Sequence, residues 1–182
     1  MTQTDPRDFF VNTTLRNGTA VAIRHLRAED RERIATAVRQ LDQESIYTRL
    51  FSYRKELTDA GLSRIMRVDP EREVALLVTT GAGKDEIVIG SCRYVASRPD
   101  DEERTAEVAF LVEEDYQGLG IAGRLLRCLA EIGRQQRITR FEADVLAENK
   151  SMLAVFARSG LKMQQRRDGG VVHVCLLLGD KQ

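Results

Sequence analysis

The sequence lacks several features that would point to a particular class of protein. It has no tryptophan, and no apolar stretch approaches the length of about 20 residues that a membrane-spanning helix needs. Lys plus Arg and Asp plus Glu number 28 each, so no excess of basic residues indicates nucleic acid or an anionic membrane as a partner. The three cysteines, Cys92, Cys128 and Cys175, are widely spaced and show neither a disulfide framework nor a metal-ligand spacing. The composition therefore predicts a cytoplasmic protein with reduced thiols and no metal.

The chain is long enough for one domain with a buried core. We assign residues 1–14 to a polar leader, which does not have the apolar core of a secretory signal, and residues 15–182 to a single domain. Hydrophobic periodicity predicts strands over 20–26, 73–80, 86–96, 104–112, 139–146, 161–167 and 171–178. It predicts helices over 30–41, 45–51, 58–66, 121–136 and 149–159.

This order of elements predicts the fold class. Short connections join the three strands between residues 73 and 112, which is typical of an antiparallel meander. The strand–helix–strand unit over 104–146 would supply a parallel pair. We therefore expect an α/β protein of the α+β kind, with a mixed, mostly antiparallel central sheet and helices on both faces.

The run from Gln117 to Gly123 reads QGLGIAG and fits two phosphate-binding motifs. Read from Gly118 it is G-x-G-x-x-G, the fingerprint of enzymes that bind NAD or FAD. Read from Gln117 it is Q-x-x-G-x-A, the diphosphate loop of acetyl-CoA-dependent N-acetyltransferases. In both cases, small residues let the main chain approach a diphosphate, whose charge lies at the free N–H groups of a helix N-terminus.

The surroundings of the loop favour the second interpretation. In a dinucleotide-binding unit the first glycine follows its strand almost directly, whereas the five residues EEDYQ separate Val112 from Gly118 here. Glu142 and Asp144 do lie about where a ribose-binding acid is expected. The residues after the loop are nevertheless too few for a doubly wound sheet and a substrate domain.

From about residue 15 to residue 178, the element order and the position of this loop resemble the GNAT superfamily of N-acetyltransferases. The segment 117–122 matches the Q-x-x-G-x-A motif completely, and the blocks 145–153 and 159–161 are similar to the family's segment around its penultimate helix. Upstream, the blocks 15–24 and 44–51 are similar to the bacterial Pat-type protein-lysine acetyltransferases, whose targets include acyl-CoA synthetases. The 182 residues have no room for the cyclic-nucleotide-binding or synthetase-like domains of Pat relatives, so we expect a catalytic domain without those regulators.

The resemblance implies that Glu107 is the general base, often acting through water in Pat-type enzymes. Glu107 lies in the strand TAEVAF, whose other residues are small or apolar and which leads to the loop. A carboxylate there should be partly desolvated, which makes it a stronger base. Strand alternation also allows a plain surface charge on the solvated face. Neither His25 nor His173 is placed near the loop by this reasoning.

The resemblance also implies the residues that hold the cofactor. The main chain of Phe110, Leu111 and Val112 would pair with the pantetheine arm and polarise the thioester carbonyl, while their side chains pack in the core. The full set is Phe110, Leu111, Val112, Gln117, Gly118, Leu119, Gly120, Ile121, Ala122, Gly123, Arg124, Asn149 and Phe156.

Three residues of this set have alternative interpretations. Arg124 would reach a CoA phosphate or be a solvated charge on its helix, and Asn149 would order the cofactor channel or cap a helix. Phe156 stands where many GNAT enzymes have a tyrosine that protonates the departing thiolate. Because a thiol has a pKa near about 8.5, CoA can leave largely as the thiolate.

We expect direct transfer of an acetyl group from acetyl-CoA to a primary amine in a ternary complex, preferably to a protein lysine. Two alternatives remain open: a small amine as acceptor, or a non-catalytic module that only binds acetyl-CoA. An acidic acceptor groove would favour the small amine, whereas an open surface would favour a protein.

Overall fold

The structure is a computed structural model that describes residues 5–40 and 58–179. Its strands are β1 Phe10–Thr14, β2 Ala20–His25, β3 Glu73–Thr80, β4 Ile87–Ala96, β5 Thr105–Val112, β6 Arg140–Leu146, β7 Lys162–Asp168 and β8 Val171–Leu177. Its α-helices are α1 Arg31–Gln40, α2 Asp59–Met66, α3 Ile121–Gln135 and α4 Lys150–Ala157. In these two ranges the eight strands form one sheet in the order β1-β2-β3-β4-β5-β6-β8-β7.

Every predicted strand is confirmed to within one residue, and the predicted helices in the described ranges to within two. Residues 10–14, which the sequence analysis assigned to the leader, instead form the edge strand β1, paired with β2. Four of its five residues are exposed, so main-chain pairing rather than an apolar pattern forms this strand, and periodicity gave no signal. The helix predicted over 45–51 lies outside the described residues.

The sheet is mixed, as predicted. Neighbouring strands are antiparallel at every pairing except that of β5 with β6, which are parallel and are connected through α3. This parallel pair joins two antiparallel sets, β1 to β5 on one side and β6, β8 and β7 on the other.

Helices cover both faces of the sheet. Successive side chains of a strand point to opposite faces, and on β3 the residues Leu76 and Val78 pack in one core with α3 and α4. Ala75 and Leu77 pack in a second core with α1 and α2. The first core is the larger, and α3 contributes its apolar stripe of Ile121, Leu125, Leu126, Leu129 and Ile132, as its sequence spacing predicts.

On the face of the second core, α1 and α2 cover β3. No helix in the described residues covers β5 and β6 on that face. The register places Ala109 on the same face as Arg93, and Arg93 on the same face as Ala75. On this face β5 exposes Glu107 and Ala109, whereas β6 exposes Glu142 and Asp144. Among the described residues, no helix therefore covers the part of this face where Glu107 and Asp144 are exposed.

The three cysteines are free thiols. Cys92 is buried, and Cys128 and Cys175 are half-buried. Burial raises the pKa of the Cys92 thiol well above its usual range, so Cys92 stays protonated at neutral pH.

In residues 5–40 and 58–179 no helix is long and apolar enough to cross a membrane, and no His, Cys, Asp and Glu side chains are grouped to hold a metal ion.

A buried ion network joins β2, the start of α1 and the start of β4. The Arg24 guanidinium donates to both carboxylate oxygens of Asp30 at 2.7 Å and to Glu86 at 3.0 Å. Arg33 lies 3.2 Å from the second oxygen of Glu86, and the Arg27 N–H donates to Asp30 at 2.8 Å. Burial by itself would raise the pKa of Asp30, but these hydrogen bonds outweigh it and lower the pKa.

Asp30→Ala should destabilise the fold by roughly 3–5 kcal/mol, because it leaves the buried Arg24 charge without its main partner. Since the folded pKa of Asp30 is lowered, its contribution is present above the unfolded value of about 3.9 and is lost as the pH falls through the folded value. Urea unfolding of the wild type and the variant between pH 7 and pH 3 measures both effects.

Glu103→Gln is the control, because the Glu103–Arg140 pair is largely exposed and such pairs contribute about 0–1 kcal/mol. A free energy of unfolding for Asp30→Ala that matched this control would contradict the role of the network.

Candidate active site

Strands β5 and β6 are paired over the first part of their length and then separate. Their parallel register ends at Glu107 and Glu142, although both strands lie entirely in the described ranges and continue beyond these residues. β5 runs on beside β4, and β6 runs on beside β8. Beyond Glu107, main-chain groups on the inner edges therefore face a gap instead of a neighbouring strand, and such groups bind an extended ligand readily.

A cleft of about 360 Å³ occupies this gap. Its walls are β5, β6, the start of α3 with the loop before it, and α4. The lining residues are Glu107, Val108, Ala109, Phe110, Val112, Tyr116, Gln117, Gly118, Ile121, Ala122, Ala143, Asp144, Val145, Asn149, Ser151, Met152, Val155 and Phe156. Two of these lining residues, Glu107 and Asp144, carry carboxylates.

The glycine loop enters α3 through two residues with positive φ. Gly118 has φ 72° and Gly120, the residue before α3, has φ 90°. This left-handed region is unfavourable by roughly 1–2 kcal/mol for residues that carry a Cβ atom. The first N–H groups of α3 have no carbonyl partner within the helix, so the loop presents donors at the end of the cleft.

The structure brings many of the sequence-predicted residues together. Phe110, Val112, Gln117, Gly118, Ile121, Ala122, Asn149 and Phe156 line the cleft with Glu107. Leu111, Leu119, Gly120, Gly123 and Arg124 do not line it. Gly120 is still part of the turn that shapes the loop, and Leu119 and Ala122 pack against the main core.

The Glu107 carboxylate is exposed, so the expectation that its strand would desolvate it is wrong for the structure described here. The apolar residues around it alternate: Ala106 and Val108 are buried, whereas Glu107 points to the face that α1 and α2 leave open. Glu107 nevertheless lines the cleft, at the end where the paired parts of β5 and β6 finish.

Asn149 and Phe156 shape the α4 wall. The Asn149 side chain accepts from the Met152 N–H at 3.1 Å, so its helix-capping role is confirmed. Phe156 is buried and packs edge-on against Phe110, with ring centroids 6.0 Å apart. The position that carries a tyrosine in many GNAT enzymes is thus an apolar contact between α4 and β5.

The Arg124 side chain is hydrogen-bonded to the N-terminal strand β1. Its guanidinium donates to the Thr13 hydroxyl and, at 2.7 Å, to the Thr14 carbonyl. These bonds hold the end of β1 beside the start of α3. A role of Arg124 at a CoA phosphate stays a prediction, and its observed contacts are those of a residue that positions β1.

Sequence reasoning missed three parts of the site. Asp144 lines the cleft opposite β5 and is hydrogen-bonded to His173, its neighbour across β6 and β8. Tyr116 lines the cleft from the turn before the loop. The Arg16 side chain, from the turn between β1 and β2, reaches the glycine loop. Alternation in β6 identifies Asp144 as a face residue, but no local pattern predicts the approach of Arg16, which is distant in sequence.

Comparisons with known proteins agree with this geometry. The family model described as an acetyltransferase (GNAT) domain matches residues 21–162. The chain belongs to the GNAT acetyltransferase family. It is 29% identical to an acetyltransferase of Pseudomonas aeruginosa over 88% of this chain and 86% of the relative.

Two Pat proteins are also similar. The chain is 34% identical to the acetyltransferase Pat of Mycolicibacterium smegmatis over 87% of its own length, and it spans 46% of that relative. The crystal structure of the GNAT domain of PAT from S. lividans has a TM-score of 0.80 and 31% identity, covering 92% of this chain and 96% of that domain. The mixed sheet with its separated strands is therefore the GNAT fold.

GNAT enzymes take the acetyl group from acetyl-CoA. The residues present fit that donor: the gap between β5 and β6 suits an extended arm, and two positive-φ glycines lie where the diphosphate needs main-chain donors. The thioester is the group that acetyl-CoA supplies for the reaction.

Gly118→Ala tests the loop, with Gly169→Ala as its matched control. Both glycines have positive φ and open space where a Cβ would stand, but Gly169 lies in the β7–β8 turn, away from the cleft. We expect both variants to lose roughly 1–2 kcal/mol of stability in thermal unfolding. Only Gly118→Ala should bind acetyl-CoA about tenfold more weakly in calorimetry, a change of about 1.4 kcal/mol. An unchanged affinity would show that the diphosphate is not held at Gly118.

Proposed function

We propose that the protein transfers the acetyl group of acetyl-CoA to the side-chain amine of a protein lysine. The observation that carries this proposal is the position of Glu107 at the open end of the cleft, on an exposed face that a protein surface can reach. The similarity to Pat enzymes along nearly the whole chain supports a protein acceptor. The three free thiols support the expectation that the protein works in the cytoplasm.

Attack by a lysine requires the loss of a proton first. The free side chain has a pKa near about 10.4, so its deprotonation at pH 7 costs roughly 4.6 kcal/mol. We assign this proton to Glu107, directly or through a water molecule, because Glu107 lies where β5 and β6 separate. A positioned base of this kind contributes about 10²–10⁴-fold in rate.

The neutral amine then attacks the thioester carbonyl, so that the C–N bond forms, the C–S bond breaks and CoA leaves as a thiolate, while the nitrogen of the new amide releases its second proton to solvent. The main chain of residues 110–112 is the proposed partner of the pantetheine arm and of the carbonyl oxygen. Phe156 cannot donate a proton to the thiolate. The low basicity of a thiolate makes that donor unnecessary.

A small polycationic amine is the second candidate acceptor. The two carboxylates of the cleft lining, Glu107 and Asp144, give the cleft negative charge, which suits an acceptor with several ammonium groups. The protein acceptor has the preference because these carboxylates are exposed on a sheet face instead of enclosed in a groove.

The two acceptors are separated by one comparison. The purified protein is incubated with acetyl-CoA and cell lysate, and new acetyl groups are mapped by mass spectrometry, while CoA release is measured with polyamines and other small amines. Specific acetyl-lysines that appear with the wild type and not with Glu107→Gln support the protein acceptor. CoA release with a small amine, without protein acetylation, would select the second candidate.

Glu107→Gln should lower the transfer rate about 10²–10⁴-fold and remove the dependence of the rate on the ionisation of a carboxylate. Glu142→Gln is the control, because Glu142 is the register partner of Glu107 and is also exposed, but it does not line the cleft and pairs with Arg140. Rates are measured against pH at saturating acetyl-CoA. Equal rates and pH profiles for Glu107→Gln and the wild type would remove Glu107 from the mechanism.

A further inference from the structure

The phosphates of acetyl-CoA need more positive charge than the cleft itself offers. No lysine or arginine is among the cleft-lining residues in the described part of the chain. The turn that leads to the glycine loop carries Glu113, Glu114 and Asp115 instead. Burial, and then the charge of Asp115, raise the pKa of Glu113, as expected for a negative local field. The start of α3 supplies only about half a positive charge, so a cation beside the loop would be valuable.

Arg16 brings a full positive charge to the loop from a distant part of the chain. It lies in the turn between β1 and β2, and its Nη1 approaches the Gly118 carbonyl oxygen at 3.4 Å. Its Nε lies 3.6 Å from the place where a Cβ on Gly120 would stand. The guanidinium is thus beside both positive-φ glycines of the diphosphate loop.

The Arg16 guanidinium also has N–H donors available for a ligand. Within residues 5–40 and 58–179 its side chain has no carboxylate at ion-pair distance, and its hydrogen bond to Gly118 is long. Arg124 differs, because it is bonded to Thr13 and Thr14 and so fixes the strand that leads to Arg16. The two arginines therefore differ in their contacts: Arg124 is hydrogen-bonded to β1, whereas the exposed guanidinium of Arg16 lies beside the glycine loop.

We propose that Arg16 is a phosphate-binding residue for the CoA part of the substrate, closing the diphosphate loop from the β1–β2 turn. A guanidinium suits this task because its planar fork pairs with phosphate oxygens in two hydrogen bonds. The phosphate is that of the diphosphate or the 3′-phosphate of CoA, which share this chemistry. The proposal rests on acetyl-CoA as the donor and is independent of the acceptor.

The test measures by calorimetry the Kd of the whole protein for CoA and for 3′-dephospho-CoA. The wild type, Arg16→Gln and Arg16→Lys are compared. Arg167→Gln is the matched control, because Arg167 is an exposed arginine that also contacts a glycine carbonyl, that of Gly169, in the β7–β8 turn. We expect the Kd for CoA to rise about tenfold in Arg16→Gln, to change less in Arg16→Lys and to stay constant in Arg167→Gln.

The second ligand identifies the phosphate. If Arg16→Gln weakens 3′-dephospho-CoA by the same factor as CoA, Arg16 binds the diphosphate; if it weakens CoA alone, Arg16 binds the 3′-phosphate. A Kd for CoA that is equal in the wild type, Arg16→Gln and Arg16→Lys would overturn the proposal. Thermal unfolding without ligand separates a binding effect from misfolding, and Arg16→Lys retains the charge if the glutamine variant is unstable. Tight CoA binding through Arg16 in a protein that acetylates no lysine would contradict only the proposed function.

Discussion

The early end of the pairing between β5 and β6 is the constraint on which the site depends. The two strands are held together up to Glu107 and Glu142, and each is then held by its outer neighbour, β4 or β8. Complete pairing would satisfy their main-chain groups but would leave no cleft. Separation places those groups, the glycine loop and the α4 wall around one space, and Glu107 lies at the last paired position, at one end of that space.

The distribution of charge along the cleft matches the proposed reaction. At one end are the carboxylates of Glu107 and Asp144, which suit the ammonium group of the proposed acceptor. At the other end, the N-terminus of α3 and the Arg16 side chain offer donors and positive charge to phosphates. Between them, Phe110 and Phe156 form an apolar wall. In the proposed function, the phosphates of the donor and the ammonium group of the acceptor therefore bind at opposite ends of one cleft.

Local patterns in the sequence were sufficient for most of the fold. The period of two in β5 and the period of 3.6 in α3 reflect burial on one side, whereas β3 is a continuous apolar run because both of its faces are buried. β1 was missed because its exposed residues pair only through the main chain. The glycine loop was recognised from its small residues, whose positive φ values explain why glycine stands at 118 and 120.

Local sequence patterns could not predict the electrostatic surroundings of a residue or its contacts with residues distant in sequence. Glu107 was expected in a desolvated setting because its neighbours in sequence are apolar, but they turn to the opposite face and leave it exposed. Arg16 approaches Gly118, and Asp144 is bonded to His173, through pairings of strands far apart in sequence.

A crystal structure of the protein with acetyl-CoA tests the central claim most directly. The account predicts the pantetheine arm between β5 and β6 beyond Glu107, and the diphosphate at residues 117–122. Acetyl-CoA bound elsewhere, or β5 and β6 paired along their full length with the ligand outside, would contradict it.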